Sequence, residues 1–290
     1  MSMGMVGMWR ARLVEVLTQW SGLSEDPQVW LDDPEQLHEW RIGYRRLQTL
    51  LYWGPEAWRA ELRHRLGSSG LKTCMKRSSP LRDLQVAIPR IAAWQPLAPL
   101  DLSPVSQGLR QQLEIGMAQW VAQWHVVRPE QGLRVWCETL PLGVVPIDEQ
   151  VVRAAFAVAW QRWQRQIAKI VGRQRDISGP AIHQVRIKGK RVRYLGEWWR
   201  AHLTGWEKRQ LKLEKRFHRE EGQRQDLRAL AALMEGVRQS PTGGKGQRLA
   251  PLILARQRQG ACWIHGYCIG RLEGLNVVVE SAIEAIQQAR

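Results

Sequence analysis

The 290-residue sequence predicts an all-α protein, and three observations lead to that fold class. Apolar residues recur at spacings of three and four along almost the whole chain, which is the period of an amphipathic helix. Alternating β-branched runs between Asn-Gly or Asp-Gly turns, which would indicate β-hairpins, are absent. The sequence also repeats a segment after 145 residues, which indicates a duplicated helical unit.

Stretches rich in Pro, Gly and Ser divide this periodic pattern into successive helices. The predicted helices span residues 5–20, 34–53, 55–77, 81–94, 104–126, 129–140, 148–172, 180–203, 206–221, 223–239 and 247–287. The separating stretches include residues 24–27, 96–104, 141–146, 178–180 and 240–246. The segment from Leu140 to Pro146 lies at the centre of the chain, so the sequence predicts two units, residues 1–145 and residues 146–290.

The repeat is clearest in residues 37–53, which align with residues 182–198. The aligned identities are His38 with His183, Arg41 with Arg186, Ile42 with Ile187, Arg46 with Arg191, Leu50 with Leu195 and Trp53 with Trp198. A second echo follows at nearly the same offset, where Asp83-Leu84 matches Asp226-Leu227. Two echoes in the same order favour duplication of one helical unit over chance.

Both repeated segments predict a helix with an apolar face and a basic edge beside it. The apolar stripe comprises Leu37, Trp40, Tyr44, Leu47 and Leu51 in the first copy, and Ile182, Val185, Gly189, Val192 and Trp199 in the second. His38, Arg41 and Arg45 fall within about 60° of one another, and His183, Arg186, Lys190 and Arg193 follow the same pattern. Residues 183–193 contain no Asp or Glu, so the pattern favours an anion site over a solvated basic face.

The charge balance supports a polyanionic partner. Lys and Arg number 43 against 27 Asp and Glu, which gives a formal charge of +16. The excess is uneven, because residues 1–145 carry +2 and residues 146–290 carry +14. A surplus of this size repels itself in the folded state unless an anion or an anionic surface faces it.

The paired motif H-x-x-R-x-x-x-[RK]-[RK], followed some 35–45 residues later by an Asp-Leu segment, resembles the CHAD domain, the conserved-histidine α-helical domain. The resemblance covers essentially the whole chain in two copies. The second copy, with Arg193-Tyr194, is closer than the first, which has Gln48-Thr49 there and Ser78-Ser79-Pro80 before Arg82-Asp83. The resemblance implies two four-helix bundles related by a pseudo-twofold axis, with a basic central channel that binds inorganic polyphosphate.

The site residues follow from the motif positions. Contacts to phosphate oxygens are expected from Arg41, Arg45, Arg46, Arg186, Lys190, Arg191 and Arg193, with Arg82 also lining the channel. His38 and His183 begin the motif near helix N-termini, where a ring N–H either holds phosphate or caps a carbonyl. Tyr194 either donates one hydrogen bond or packs. Secondary candidates are Lys72, Lys76, Lys215 and Arg219. Asp83 and Asp226 are expected to pair with an arginine, and the second copy is expected to hold most of the ligand.

Other functional classes have little support in the sequence. Clustered carboxylates for a metal, the E-x-E-x-K pattern of the triphosphatase tunnel domain, and Ser/His/Asp or Cys/His constellations near one another are all absent, so no catalysis, metal or cofactor is expected. The C-x-x-H-x-x-C run from Cys262 to Cys268 is read as buried thiols rather than a zinc site. The Gly243–Gly246 run lacks the frame of a phosphate loop.

The sequence predicts a soluble cytoplasmic protein, because four scattered cysteines make no disulfide framework and no signal peptide or membrane span is evident. Two alternatives to polyphosphate stay open. The basic surface and the 16 tryptophans would suit an RNA- or DNA-binding protein. A structural or regulatory protein that docks an acidic chain would show the same charge.

Overall fold

The computed structural model describes residues 3–23, 26–53, 56–68, 70–127, 129–139, 149–171, 180–239 and 251–288. Within these ranges the chain forms α-helices, two single turns of 3-10 helix and no strand. The helices are α1 Met3–Ser21, α2 Pro27–Asp32, α3 Pro34–Trp53, α4 Glu56–Ser68, α5 Leu71–Trp94, α6 Ser103–Val127, α7 Pro129–Thr139, α8 Glu149–Val171, α9 Pro180–Trp198, α10 Gly205–Gln239 and α11 Pro251–Gln288. The all-α prediction is therefore confirmed, and α3 has the predicted bounds.

The helix predicted to end before Ser78 in fact runs through it, so that prediction is wrong. Helix α5 contains Pro80, which removes the backbone donor to the carbonyl one turn earlier. The hydroxyls of Ser78 and Ser79 donate to the carbonyl of Met75 in that turn, at 2.9 and 3.3 Å. The break lies at Gly70 instead, whose φ of 69° is in the left-handed region that favours glycine.

Two further boundaries differ from the prediction. Residues 205–239 form one helix, α10, with no break at Gly222, because α11 packs along its length. Residues 27–32 form the short helix α2, which the sequence pattern did not indicate. Asp26 caps it by accepting from the backbone N–H of Gln28, and Pro27 occupies its first turn. The Leu140–Pro146 linker and the Gly243–Gly246 run lie outside the described residues.

Helices of the two halves follow the same order of contacts. In the first half α1 packs on α3, α3 on α5 and α5 on α6, and in the second half α8 packs on α9, α9 on α10 and α10 on α11. The halves meet where α3 contacts α9, α5 contacts α10 and α6 contacts α11. Each of these contacts joins helices at like positions in the two series, while α2, α4 and α7 occur only in the first half among the described residues. The division at residue 145 and the pseudo-twofold axis stay predictions.

A tryptophan from the preceding helix holds each of the two repeated helices. Trp20 Nε1 of α1 donates to the backbone carbonyl of Trp40 in α3 at 3.2 Å. Trp163 Nε1 of α8 donates to the backbone carbonyl of Val185 in α9 at 2.9 Å. Trp40 and Val185 are aligned positions of the repeat, so both halves anchor the repeated helix in the same way. The predicted apolar stripes are buried in both copies except for Leu51, which is half-buried.

Replacement of Gly43 by alanine is expected to destabilise the protein by about 1–3 kcal/mol, because it overpacks this anchor. A Cβ atom at Gly43 would lie 2.2 Å from Trp20 Nε1. The Trp20 ring cannot retreat easily, since it packs against Trp40 and Trp124 at centroid distances of 5.9 and 5.8 Å. Urea unfolding monitored by circular dichroism would measure the loss. Gly266→Ala on α11, where a Cβ meets nothing within 4 Å, is the control and should gain about 0.5–1 kcal/mol from helix propensity. A gain in both variants would contradict the prediction.

Candidate functional site

Helices α3, α5 and α9 bring eight of the predicted residues into one group between the two halves. Their mutual electrostatic influence links His38, Arg41, Arg45, Arg82, His183, Arg186, Lys190 and Arg193. We call these residues the basic cluster. The contact of α3 with α9 places Arg45 of the first half among the cations of the second. The structure therefore brings these residues of the two basic edges together, and their contact with a ligand stays a prediction.

The hydroxyl groups of Ser78 and Ser79 hold the side chain of Arg41 in place. Its Nη1 donates to Ser78 Oγ at 2.5 Å and to Ser79 Oγ at 3.2 Å. The side chain is only 8% exposed, and burial lowers its pKa to about 10. Arg41 therefore stays charged at neutral pH and has a fixed position on the first-half side of the cluster.

Lys190 is the most perturbed amine of the basic cluster. It is 7% exposed, and burial lowers its pKa to about 5. The charges of Arg45 and Arg186 contribute to this shift, because a like charge nearby disfavours the protonated amine. Lys190 is consequently neutral at pH 7 until an anion enters the cluster.

The histidines of the site are also neutral at pH 7. Burial and the charge of Arg82 lower the pKa of His38 to about 4. Burial, with the charges of Arg186 and Lys190, lowers the pKa of His183. His218 of α10 lies beside the same cations, and burial is the main cause of its lowered pKa. These rings therefore present neutral N–H donors and gain charge only if negative charge approaches.

Arg186 and Lys190 form no hydrogen bond or ion pair with any described residue. The Nε atom of Arg186 is buried without an acceptor, as is Nδ1 of His183. Arg186 also packs closely on α10, since a Cβ atom at Gly222 would lie 3.4 Å from its Nη2. Buried donors without acceptors are costly, so a group that accepts hydrogen bonds from them would stabilise this arrangement.

Carboxylates lie around the cluster, and within the described residues two of its members pair with them: Arg82 with Glu35 and Arg193 with Glu197, each at 3.9 Å. Asp226 pairs with Arg90 at 3.4 Å, which confirms the expected pairing of that aspartate with an arginine. Burial raises the pKa of Asp226, and it also raises the pKa of Asp83, although the charge of Arg41 opposes the latter shift. Glu214 is fully buried and its pKa is raised to about 8 by that burial. These raised pKa values limit the negative charge that the protein itself supplies.

Several predicted site residues lie apart from the basic cluster. Arg46 donates to Gln19 Oε1 on α1 at 3.0 Å, and Arg191 stacks on the ring of Tyr52 at 4.9 Å. One residue along a helix rotates a side chain by about 100°, so these arginines turn away from their neighbours Arg45 and Lys190.

The secondary candidates lie on exposed helix surfaces. The side chains of Lys72 and Lys76 are exposed on α5. Lys215 pairs with Glu197 at 2.9 Å, and exposed Arg219 pairs with Glu220 at 2.8 Å. Tyr194 is buried beside Arg45, and its oxygen raises the pKa of that arginine against the effect of burial.

The sequence prediction missed the buried polar residues of α10. Glu214 and His218 face the cluster with His218 Nδ1 3.6 Å from Glu214 Oε1, one position before the exposed candidates on the same helix. Glu221 and Arg224 continue that face as a fully buried pair at 2.6 Å. Their spacing of three and four residues could have revealed them, because it places these polar residues in the buried stripe of α10.

The described residues contain no group of three or more His, Cys, Asp or Glu side chains placed to hold a metal ion. Cys268 is buried, but Cys262 is exposed, so the prediction of buried thiols is wrong for Cys262. Position 262 faces solvent because it lies about 120° around α11 from Cys268, which faces the core. None of the described helices combines the length and the hydropathy that a membrane crossing requires.

Comparisons with known proteins agree with the motif. The family model of the CHAD domain matches residues 11–235. A solved structure, the crystal structure of the CHAD domain from the plant Ricinus communis, is similar with a TM-score of 0.65 and 21% sequence identity, over 97% of this chain and 92% of that one. At this identity the similarity shows the fold alone. A comparison with curated proteins gave no significant match. Because the family model matches most of its length, the chain belongs to the CHAD domain family.

Proposed function

We propose that this protein binds inorganic polyphosphate in the basic cluster and does so without catalysis. The observation that carries the proposal is the meeting of buried and half-buried basic side chains from both halves, of which Arg186 and Lys190 have no partner among the described residues. Arg forks match the geometry of phosphate oxygens, and a lysine supplies a point charge. A chain of phosphates would therefore provide acceptors to several of these donors at once.

The form of the cluster favours a polyanion without bases over a nucleic acid. Recognition of single strands depends on exposed aromatic rings that stack on bases. Eleven of the sixteen tryptophans are buried in the core, so most of them are not available for stacking. Tyr194, the aromatic residue beside Arg45, is buried as well. The tryptophan content therefore supports helix packing rather than nucleic-acid binding.

The two halves contribute unequally to the proposed site. Helix α9 supplies Arg186, Lys190 and Arg193, while α3 supplies Arg41 and Arg45, of which Arg41 is already bonded to serine hydroxyls. We infer that the second half provides most phosphate contacts and that the first half closes over the ligand through Arg45. Recruitment to polyphosphate granules is a role that such binding would permit.

Parallel titrations of long-chain polyphosphate, orthophosphate and single-stranded RNA at about 150 mM salt test the proposal. Polyphosphate is expected to bind tightest, and its affinity should fall steeply with salt as counterions are released. The double variant Arg186→Ala/Lys190→Ala should weaken polyphosphate binding by at least about tenfold, since it removes a partnerless arginine and a partnerless amine that would take up a proton with the ligand.

The control is Arg209→Ala/Lys212→Ala, which removes an arginine and a lysine from an exposed face of α10, about 140° and 160° from Glu214 around the axis. Its polyphosphate affinity should change by less than about threefold, because only long-range attraction is lost. Tighter binding of RNA, an unchanged affinity in the cluster variant, or an equal loss in the control would each refute polyphosphate binding at this site.

A further inference from the structure

A second basic surface lies on the other side of α9 from the basic cluster. A cavity of about 310 Å³ is formed there by α3, α8 and α9. Its charged lining consists of Arg162, Arg165, Lys169, Lys188 and Arg191, and the aromatic residues beside them are Tyr52, Trp53 and Trp163. We call this surface the aromatic groove.

The aromatic groove is distinct from the basic cluster. At 100° per residue, Lys188 and Arg191 lie roughly 180° and 120° around the axis of α9 from the mean direction of Arg186 and Lys190. The remaining cations of the groove belong to α8, a helix that supplies no residue to the basic cluster. A ligand in the groove would therefore contact different side chains from polyphosphate in the cluster.

Contacts with aromatic rings hold two guanidinium groups in place at the groove. Arg191 lies over the ring of Tyr52 at 4.9 Å, and Arg162 donates to the Tyr52 hydroxyl at 3.1 Å. Arg162 also lies 5.9 Å from the ring centroid of Trp53. Stacked guanidinium groups lose less conformational freedom when they bind a phosphate, because their position is already restricted.

The groove has an excess of donors. None of its five cations pairs with a carboxylate among the described residues. The buried Nε1 of Trp53 has no hydrogen-bond acceptor there. Tyr52 is 41% exposed, so an aromatic surface is accessible next to the cations. An anion would pair with these cations and accept their hydrogen bonds, and a planar ring would cover the exposed aromatic surface.

We propose that the aromatic groove binds a nucleoside di- or triphosphate. The arginines and lysines would hold its phosphates, and Tyr52 and Trp53 would contact its base. The cavity volume is in the range of small-molecule sites, roughly 300–1,000 Å³, and is larger than one phosphate needs. Inorganic polyphosphate would leave the aromatic rings uncovered, which favours a ligand with both chemistries.

Calorimetric titration with ADP and UDP, and with pyrophosphate and adenosine as the two separate parts of the ligand, tests this proposal. At least one nucleotide should bind about tenfold tighter than either pyrophosphate or adenosine. Two variants of exposed or half-buried residues, Tyr52→Ala and Arg162→Ala/Lys188→Ala, should each weaken that binding by at least about tenfold. Thermal unfolding confirms that each variant is folded.

The cluster variant Arg186→Ala/Lys190→Ala should keep the nucleotide affinity, which separates this site from the proposed polyphosphate site. Conversely, Tyr52→Ala should leave polyphosphate affinity unchanged. The proposal fails if neither nucleotide binds at millimolar concentration, if pyrophosphate binds as tightly, or if the groove variants weaken polyphosphate as much as ADP. Displacement of ADP by a tighter-binding oligoadenylate without terminal phosphates would overturn it in favour of a nucleic-acid site.

Discussion

Lys190→Met is expected to raise the free energy of unfolding of the ligand-free protein by roughly 2–4 kcal/mol at pH 7. In the folded protein burial and neighbouring arginines lower the pKa of this amine to about 5, whereas in the unfolded chain it has the ordinary value of 10.5. The folded state must therefore release a proton at neutral pH, which costs about 1.4 kcal/mol for each unit between the pH and 10.5. Methionine fills a similar volume without that cost.

The sign of the pH dependence follows from the same shift. Between pH 5 and 10.5 the unfolded state binds more protons than the folded state, so the contribution of Lys190 to the free energy of unfolding rises with pH. The advantage of Lys190→Met should consequently shrink as the pH rises from 7 to 10. Denaturant unfolding of both proteins at several pH values would measure the difference between their free energies of unfolding. The carboxylates titrate alike in both proteins, so their contribution cancels in that difference.

Lys212→Met on the exposed face of α10 is the control and should change stability by less than about 0.5 kcal/mol. Loss of stability in Lys190→Met, or an advantage that does not vary with pH, would show that the amine is charged in the folded protein. The expected gain in Lys190→Met would show that the amine destabilises the folded state, as the proposed ligand site predicts.

Polyphosphate affinity is expected to fall as the pH rises above about 5, by up to about tenfold per unit. Phosphate charges beside Lys190 favour its protonated form, so the complex holds a proton that the free protein lacks at pH 7. His38 and His183 add to the proton uptake, because their pKa values are lowered in the ligand-free protein and phosphate charges would raise them again. This addition is expected below about pH 6.5, the ordinary pKa of histidine in water.

Calorimetry in buffers of different ionisation enthalpy measures this proton uptake directly. About one proton should be taken up per site at pH 7 by the wild type and close to none by Lys190→Met. Arg41 provides the contrast, because its pKa of about 10 keeps it charged throughout this range. A binding constant that does not change between pH 6 and 8 would contradict the assigned role of Lys190.

Local hydrophobic periodicity and the internal repeat were enough to predict the helices and the basic edges of the repeated pair. Helix α3 has the predicted bounds, and Arg41, Arg45, Arg186 and Lys190 meet as their shared helix edge indicated. The prediction of a helix break at Ser78-Pro80 was wrong, because tertiary packing outweighs the local tendency of proline to end a helix. Buried residues on both sides of Pro80 hold α5 in one piece, and serine hydroxyls donate in the turn before it.

The site could be predicted only where one helix determines it. A spacing pattern places Arg186 and Lys190 on one edge, but it does not show which neighbouring helix faces them. Glu214 and His218 were missed because α10 turns them inward, and the exposed Lys215 and Arg219 were more conspicuous in the sequence. The aromatic groove needed tertiary structure as well, since its members come from three helices.

The last helix has a consequence for how the domain is delimited. The matched family residues end at 235, yet α11 runs from Pro251 to Gln288 and packs along α10, α8 and α6. Its Asn276 accepts from the buried Arg224 at 3.0 Å. A fragment cut to the matched residues would expose the apolar side of α10 and leave that guanidinium without this acceptor. The unit to express is therefore the longer chain through α11, whose packing the family boundary does not mark.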